Sequence, residues 1–553
     1  MITNVSGFNL KRLKNYADWY LLSFLLLFLN VKLAVKIPAI ILIYLLQFNF
    51  KFGFSFKNSR LPLFYPLIII IGLIDYLIIG GYTNTNYTVM ALTGISFWVA
   101  CILAIHQVKL AVEQNDTDVI HRTIVLFFII NTVISLLNLA AIIWETGAIN
   151  PYTYQGQYQK YFIGTGDYIK GITFDTSTTN AVLNAFGVIY FLTKKNAVML
   201  LTCMAILLLT GSNFINIILF FILLWLFVFN SSKDQKSLLV VCMIFLVVFM
   251  AKISPQNNNY VATTIKNTIH QNKIFKQNPI PPIRSIRETP DSLLNTEERK
   301  QKIAMLYIDN VYRYRATRNR KKTTIAIKNA LITDAGRIYI AQPDINAAPY
   351  QSLKTTPPQQ SRLLEFVHTH KALLPVSGKE FHMSVLPGKV ISTLQTINFF
   401  KQHPQKVITG DGMGNFSSKL AFKASGLGLS GSYPLKYRYI NHDFLVNHLD
   451  LYLNFFSRGP GLHSLTNSPF SVYDQLFAEY GIIGLLLFLI YYLGFFLKNQ
   501  KLLTYGLPIL LLTTVVLFID YWFEQLSVLV FFELLILLNI KESSVKNKLN
   551  HGH

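Results

Sequence analysis

The chain has 553 residues, 52% of them hydrophobic and only 14% charged, with a formal net charge of +23. A soluble chain would carry roughly a quarter charged residues, and the shortfall lies in apolar runs of about 17–25 residues, long enough to cross a hydrocarbon core of about 30 Å. These figures exclude an ordinary soluble enzyme, and no RNA- or DNA-binding motif accompanies the positive charge, so nucleic acid is set aside as a partner.

Near the N-terminus, Lys11, Arg12 and Lys14 precede an apolar run from Trp19. No small-residue cleavage site follows it, so a retained anchor is expected rather than a cleaved signal peptide. Apolar segments then follow near 18–31, 35–50, 61–80, 88–107, 119–143, 171–193, 196–211, 213–230, 237–252, 470–497, 502–519 and 521–539. The expected fold is an all-α integral membrane protein of about twelve transmembrane helices. It would comprise an N-terminal membrane domain over 1–252 with about nine spans, a loop domain over 253–468, about three C-terminal spans over 469–540 and a tail over 541–553. Cys101, Cys203 and Cys242 all fall inside apolar runs, where small packing residues are expected rather than disulfides or thiolate metal ligands.

Orientation follows from the short connections. Lys51, Lys57 and Arg60, Lys194 and Lys195, Lys233 and Lys236, Lys498 and Lys501, and Lys541, Lys546 and Lys548 fall on one side of such a bundle, whereas 80–87 and 210–213 carry no basic residue. The positive-inside rule places both termini in the cytoplasm and the long 253–468 segment outside. That segment holds 28 Lys and Arg against 12 Asp and Glu, an excess of 16 positive charges. A basic surface beside a bilayer suits anionic headgroups and diphosphates. Its stretch 296–322 has helical composition and many charges, including Glu297, Glu298, Arg299, Lys300 and Arg313, and is expected to form a solvated or headgroup-facing helix. From about 388 onward the composition becomes apolar and aromatic again, as for helices packed on the membrane domain. The loop is therefore expected to be mostly helical.

The stretch from His463 to Phe488 carries the most chemistry. Asn467, Ser468 and Ser471 lead through Pro469 into a helix bearing Asp474, Gln475 and Glu479, which turns wholly apolar after Gly481. Such an entry puts polar side chains at the membrane–water boundary, where a lipid-linked diphosphate would lie. Ala478, Glu479, Tyr480, Gly481 and Gly484 resemble the Ala-Glu-x-Gly helix of the bacterial O-antigen ligase and polymerase superfamily. The stretch 388–416, with His403-Pro404, Gly412, Gly414 and Phe416, is similar to that family's loop helix and following turn. Thr210-Gly211-Ser212 is similar to its turn between two spans, and Thr178–Asn180 to a turn in its sixth span.

The chain departs from the family pattern at four positions. The family's histidine is Phe470 here, with Ser471 after it; the arginine after Thr-Gly-Ser is Asn213; and the arginine opening the loop helix is Lys389, which keeps charge but loses the bidentate fork. The resemblance implies a glycosyltransferase in the bacterial inner membrane with its large loop in the periplasm. It would transfer or polymerise glycan from a polyprenyl-diphosphate-linked oligosaccharide donor to a glycan or lipid acceptor, without metal or cofactor. Catalytic roles are accordingly expected of Glu479, Asp474 and the nearby His463, and diphosphate binding of Lys389, Arg438 and Arg458, since cations stabilise a departing diphosphate. His442 and His448 lie in the same aromatic segment. A structural reading stands beside each of these: a hydrogen-bonding histidine, a turn-capping Arg458 beside Gly459-Pro460-Gly461, or helix-start carboxylates favoured by the dipole.

Other features weigh less. Gly410-Asp411-Gly412-Met413-Gly414 does not open a Rossmann unit and reads as a tight turn. His368 and His370 lack the partners of a metal site. Asp75, Asp175 and Glu533 sit within apolar spans, where a carboxylate costs on the order of 2.5–3.5 kcal/mol and marks a cavity, a proton path or an interhelical pair. Asp175 and Asn180 mark a polar break where a substrate cavity is expected. A transporter or flippase would use the same groups, although no two-fold repeat of spans accompanies them. A non-catalytic envelope scaffold is the third alternative.

Overall fold

Every one of the twelve apolar segments contains a helix in the computed structural model, which describes residues 16–30, 33–47, 49–146, 169–173, 176–253, 388–425, 433–456 and 468–551. These helices are α1 (Trp19–Asn30), α2 (Leu33–Gln47), α3 (Phe64–Ile78), α4 (Thr85–Gln114), α5 (Thr117–Thr146), α6 (Ser177–Thr193), α7 (Ala197–Leu209), α8 (Asn213–Phe229) and α9 (Lys233–Val248). Besides a single turn at Lys406–Thr409, four further helices follow: α10 (Gly388–Gln402), α11 (Lys419–Ala424), α12 (His442–Asn447) and α13 (Leu449–Phe456). The chain then completes the bundle with α14 (Val472–Leu487), α15 (Gly506–Val516) and α16 (Ser527–His551). Among the described residues there is no strand. Four helical stretches, Thr85–Gln114, Thr117–Trp144, Lys233–Ala251 and Val472–Leu502, are long and apolar enough to cross a membrane. Phe64–Ile78, Ala197–Leu209, Asn213–Phe229 and Gly506–Val516 are apolar but shorter. The chain therefore has the helices of a membrane protein. The charged 296–322 stretch lies outside the described residues.

The bundle is organised around α16. Val528 to Leu538 are buried on every side, the signature of a helix enclosed by others rather than lying on a surface. It packs against α4, α15, α1 and α6. Its one carboxylate in that stretch, Glu533, accepts hydrogen bonds from Tyr65 Oη at 2.5 Å and Tyr492 Oη at 3.1 Å. The interhelical pair is thus the role this residue fills. Next to it, the Phe64 ring lies 5.4–5.8 Å from those of Trp98, Tyr492, Phe488 and Phe523. Close approach elsewhere depends on small residues, as is usual between apolar helices. A Cβ on Gly187 would lie 2.7 Å from Cys203 Sγ and 2.9 Å from the Phe128 ring. All three cysteines are buried free thiols.

The two ends of the bundle differ in charge chemistry. At one end Arg60 pairs with Glu113, Lys194 with Glu542 at 2.6 Å, and Lys541 Nζ donates to the carbonyls of Val112 and Asn115 at the end of α4. Asn115 also donates to Asp18, and Lys498 reaches the Lys57 carbonyl. The basic short connections described here thus meet at a single end. The opposite end is covered by α10 to α13: Asn86, in the first turn of α4, donates to the Arg438 carbonyl at 2.9 Å.

Two spans expected to be continuous are interrupted. In α14 the helical path breaks at Gly481 (φ 64°, ψ −165°). The 521–539 segment divides into a single turn, Trp522–Gln525, and α16, separated by Leu526 at φ 65°. Polar Glu524, Gln525 and Ser527 flank that second break, but the aromatic and aliphatic residues beyond them hide it.

Replacing Glu533 by Leu strands two buried tyrosine hydroxyls and should cost about 2–4 kcal/mol. Glu533→Gln keeps an acceptor for both and should stay within about 1 kcal/mol of the parent. Thermal unfolding of the purified variants in detergent distinguishes the two outcomes.

Candidate functional site

At the end of the bundle covered by α10 to α13, the first half of α14 carries the polar residues and the helices around it hold them in place. Ser471 caps α14, its hydroxyl accepting from the Asp474 amide. Ser392 and Thr396, one turn apart on α10 and so on one face, donate to the two carboxylate oxygens of Asp474 at 2.6 and 2.7 Å. Both oxygens of Asp474 are therefore engaged, and its work is to fasten α10 to α14.

Glu479 plays a similar part in a different way. The break at Gly481 frees carbonyls that a continuous helix would have used. The Asp411 amide donates to the Ala478 carbonyl at 2.9 Å and the Gly412 amide to that of Glu479 at 3.0 Å. The Glu479 carboxylate then accepts from the amides of Gly414, Phe416, Ser417 and Ser418, at 2.8 to 3.3 Å. A turn whose successive N–H groups converge in this way is an anion-binding concavity, and here the anion is the protein's own. Gly410, Gly412 and Gly414 all have positive φ. A Cβ on Gly410 would fall 2.4 Å from the Glu479 carbonyl carbon, and one on Gly481 would fall 2.3 Å from the Ile408 carbonyl oxygen. The glycine-rich segment is the tight turn expected from its sequence.

The turn delivers Lys419 and, one helical turn later, Lys423, both on α11. Lys419 Nζ lies 3.2 Å from Asp520 Oδ1 and 4.7 Å from the centre of the Phe470 ring. Asp520 Oδ1 also accepts from the Tyr521 amide, and Oδ2 from Gln525. Glu524 Oε1 accepts from Gln475 Nε2 at 2.8 Å, while Glu524 Oε2, Gln475 Oε1 and Ser527 Oγ are buried without a hydrogen-bond partner. Lys423 and Lys419 supply the positive fields at Glu524, and Glu479 and Asp520 the negative ones. Below this group, Tyr452 and Tyr521 share the Ser417 carbonyl and lie 2.8 Å apart, hydroxyl to hydroxyl.

Lys389 closes one side. Its ammonium donates to the carbonyls of Phe470 at 2.5 Å and Ile519 at 2.8 Å. Desolvation pushes its pKa down to about 7, against the pull of Asp520 and Asp474. It staples the entry of α14 to the turn after α15. Of the other expected site residues, Arg438 is half-buried at the head of α4, whereas Arg458, His463 and Asp175 lie outside the described residues. Asn180 is fully buried. Its amide donates to Ser135 Oγ and the Ile169 carbonyl and accepts from Asn131 and Asn184. It holds residues 169–173 against α5 and α6.

A separate triad ties the turn to α12: Lys406 Nζ lies 2.5 Å from Asp411 and 3.1 Å from Asp443. Burial and the like charge of Asp443 raise the Asp411 pKa well above the carboxylate range despite Lys406. His448 is fully buried, its ring edge-on to Phe416 and its Nδ1 3.5 Å from Ser392 Oγ. Among the described residues no group of three or more His, Cys, Asp or Glu is placed to hold a metal.

The site thus gathers Lys389 with Asp474 and Glu479, and adds Lys419, Lys423, Asp520 and Glu524, which the sequence reading did not single out. Glu524 had a signal: it is a carboxylate inside an apolar segment, the same criterion that marked Glu533. Comparison with family models, with curated proteins and with solved structures finds no match to this chain.

Glu479→Ala leaves four buried amides without an acceptor and should cost at least about 3 kcal/mol. Gly481→Ala should cost a similar amount through the clash and the left-handed backbone. Both should unfold earlier in detergent while still inserting.

Burial pushes the His448 pKa down to about 3. The unfolded state then binds the extra proton between the ordinary histidine value and about pH 3. Stability contributed by neutral His448 is present above that ordinary value and is lost as pH falls through the window, by about 1.4 kcal/mol per unit. A His448→Gln variant should show a shallower loss of thermal stability between pH 6.5 and 4; parallel curves would remove this role for His448.

Proposed function

We propose that this chain is a membrane glycosyltransferase acting on polyprenyl-diphosphate-linked glycan, which it polymerises or transfers to a glycan or lipid acceptor. The observation that carries this reading is the pair Lys419 and Lys423, set beside the polar entry of α14 together with buried polar atoms that lack partners. The departing diphosphate needs cations held where negative charge develops, and such groups contribute most when they are fixed in place and shielded from water. The likeness of Ala478–Gly481 and of the 388–416 stretch to the O-antigen ligase and polymerase superfamily supports the same reading. In this chain Lys419 packs over Phe470, which stands at that family's histidine position.

Sidedness follows from the charges. The basic short connections meet at one end, and the positive-inside rule makes that end cytoplasmic. The lysine and carboxylate group at the other end is then extracytoplasmic, with the large loop on the outer face of a bacterial inner membrane. The donor would lie with its prenyl chain among membrane lipids and its diphosphate at the head of α14, beside Lys419. An acceptor hydroxyl attacks the anomeric carbon as the diphosphate departs, inverting its configuration. No resident metal or cofactor enters this scheme.

One observation favours transport instead: Asp75 in α3 is buried and one of its carboxylate oxygens has no hydrogen-bond partner. A deletion strain separates the readings. Loss of a transferase leaves single lipid-linked units, or unattached lipid-linked chains, on the outer face; loss of a flippase leaves them inside. A scaffold would lose partner proteins without a defined glycan intermediate.

Lys419→Ala and Lys423→Ala should each lower transfer by about 10²-fold, the scale for losing one fixed charge-stabilising group, with membrane insertion unchanged. The surface-glycan ladder and extracted polyprenyl-linked intermediates of complemented deletion strains report the loss. Full activity in both variants would overturn the diphosphate-binding role of this group.

A further inference from the structure

Transfer to a hydroxyl requires a group that takes the hydroxyl proton. Four carboxylates, Asp474, Glu479, Asp520 and Glu524, surround the head of α14, and their hydrogen bonds distinguish them; Asp411 in the glycine-rich turn also has an oxygen without a hydrogen-bond partner, but its other oxygen is held by Lys406. Both oxygens of Asp474 accept side-chain hydroxyls. Both oxygens of Glu479 accept backbone amides. Asp520 is held by Lys419, the Tyr521 amide and Gln525. Glu524 differs from these three: Gln475 fixes one oxygen at 2.8 Å, and the other, buried oxygen has no hydrogen-bond partner.

The surroundings of that oxygen suit a carbohydrate hydroxyl. Gln475 is 4% exposed and Ser527 2%, and each carries a polar oxygen without a hydrogen-bond partner. Buried polar atoms left open in this way need something to bond, and hydroxyl-rich sugars offer both donors and acceptors. Glu524 itself is partly exposed although its open oxygen is covered, so the residue lies at the margin of the bundle. His448 also has an unpartnered ring nitrogen, but it is fully enclosed under α10.

We infer that Glu524 is the catalytic base of the transfer, with Gln475 positioning it; this rests on the glycosyltransferase reading above. The acceptor O–H gives its proton to Glu524 Oε2, and the acceptor oxygen forms a bond to the anomeric carbon. The bond from that carbon to the diphosphate oxygen breaks, and its electron pair leaves with polyprenyl diphosphate, facing Lys419 and Lys423. The proton on Glu524 is then released to water, restoring the carboxylate.

The test uses the full chain in lipid nanodiscs, with lipid-linked glycan extracted from the deletion strain as donor and polyprenyl diphosphate as the binding probe. Glu524→Gln preserves the acceptor for Gln475 but cannot take a proton. It should lower turnover by about 10²-fold or more while the thermal shift produced by polyprenyl diphosphate is unchanged. Glu524→Asp, which retains the carboxylate at a longer reach, should recover part of the rate, a recovery that a packing role would not give. Parent-like turnover of Glu524→Gln alongside an active parent overturns the assignment of the base and leaves the transferase reading intact. A parent that neither binds polyprenyl diphosphate nor turns over the donor overturns both. Should Glu524→Gln fail to fold, turnover by Glu524→Asp no better than that of Glu524→Ala, with both variants folded, would overturn the assignment.

Discussion

The break in α14 at Gly481 is the feature on which the functional end of the molecule depends. A helix passing toward a membrane interior cannot leave carbonyls uncovered, because no water is there to take their place. Here the carbonyls of Ala478 and Glu479 receive the amides of Asp411 and Gly412, and the Glu479 side chain receives four further amides from the same turn. The helix break and the glycine-rich turn therefore satisfy each other. Neither would be tolerable alone: the turn would bury a row of unmatched donors, and the break a pair of unmatched acceptors. α11 begins immediately after the last of these amides, so the positions of Lys419 and Lys423 follow from this joint. The Ser417 carbonyl, shared by Tyr452 and Tyr521, anchors it to α13 and to the turn before α16.

The same hydrogen bonds explain why neighbouring carboxylates differ in what they can do. A carboxylate has about four lone-pair sites, and burial makes each unfilled one costly. Asp474 and Glu479 meet this demand by fastening backbone and helix, and so become parts of the scaffold. Asp520 meets it with an ammonium, an amide and a glutamine. Glu524 meets only half of it. An open oxygen on a carboxylate departs from the rule that Asp474, Glu479 and Asp520 obey, and such departures gather where ligands bind.

Much of the helical framework was legible because apolar runs announce helices, and each of the twelve contains one, although only four are long and apolar enough to cross a membrane. Their interruptions were not. Tyr521–Leu526 sets only Glu524 and Gln525 among aromatic and apolar residues, so the hydropathy of the whole segment hides the left-handed residue that separates Trp522–Gln525 from α16. The Ala-Glu-x-Gly pattern was visible, yet its glutamate was expected in chemistry and is found holding amides. A pattern records which residues recur together, and it is silent on whether the carboxylate points at a substrate or at its own backbone. Lys419 escaped notice for another reason. It is one of many basic residues in a long loop, and only its contact with Asp520, about a hundred positions away, sets it apart.

The contrast between the two ends of the bundle bears on why the lysine and carboxylate group exists. At the end where the short basic connections meet, charges are neutralised locally: Arg60 by Glu113, Lys194 by Glu542, Lys541 by two helix-terminal carbonyls. Such contacts suit positions where charge is fixed by topology and has only to be accommodated. At the other end, charges are drawn into partial burial beside polar atoms, Glu524 Oε2, Gln475 Oε1 and Ser527 Oγ, that have no hydrogen-bond partner. A buried ion pair is often no more stabilising than well-packed hydrophobic residues of the same volume, and an unmatched polar atom is worse. Stability therefore gives no reason for placing Lys419, Lys423, Asp520, Glu524 and Gln475 together. Such an arrangement makes physical sense on the proposed reading, in which a ligand supplies hydroxyl groups to the open oxygens of Glu524, Gln475 and Ser527.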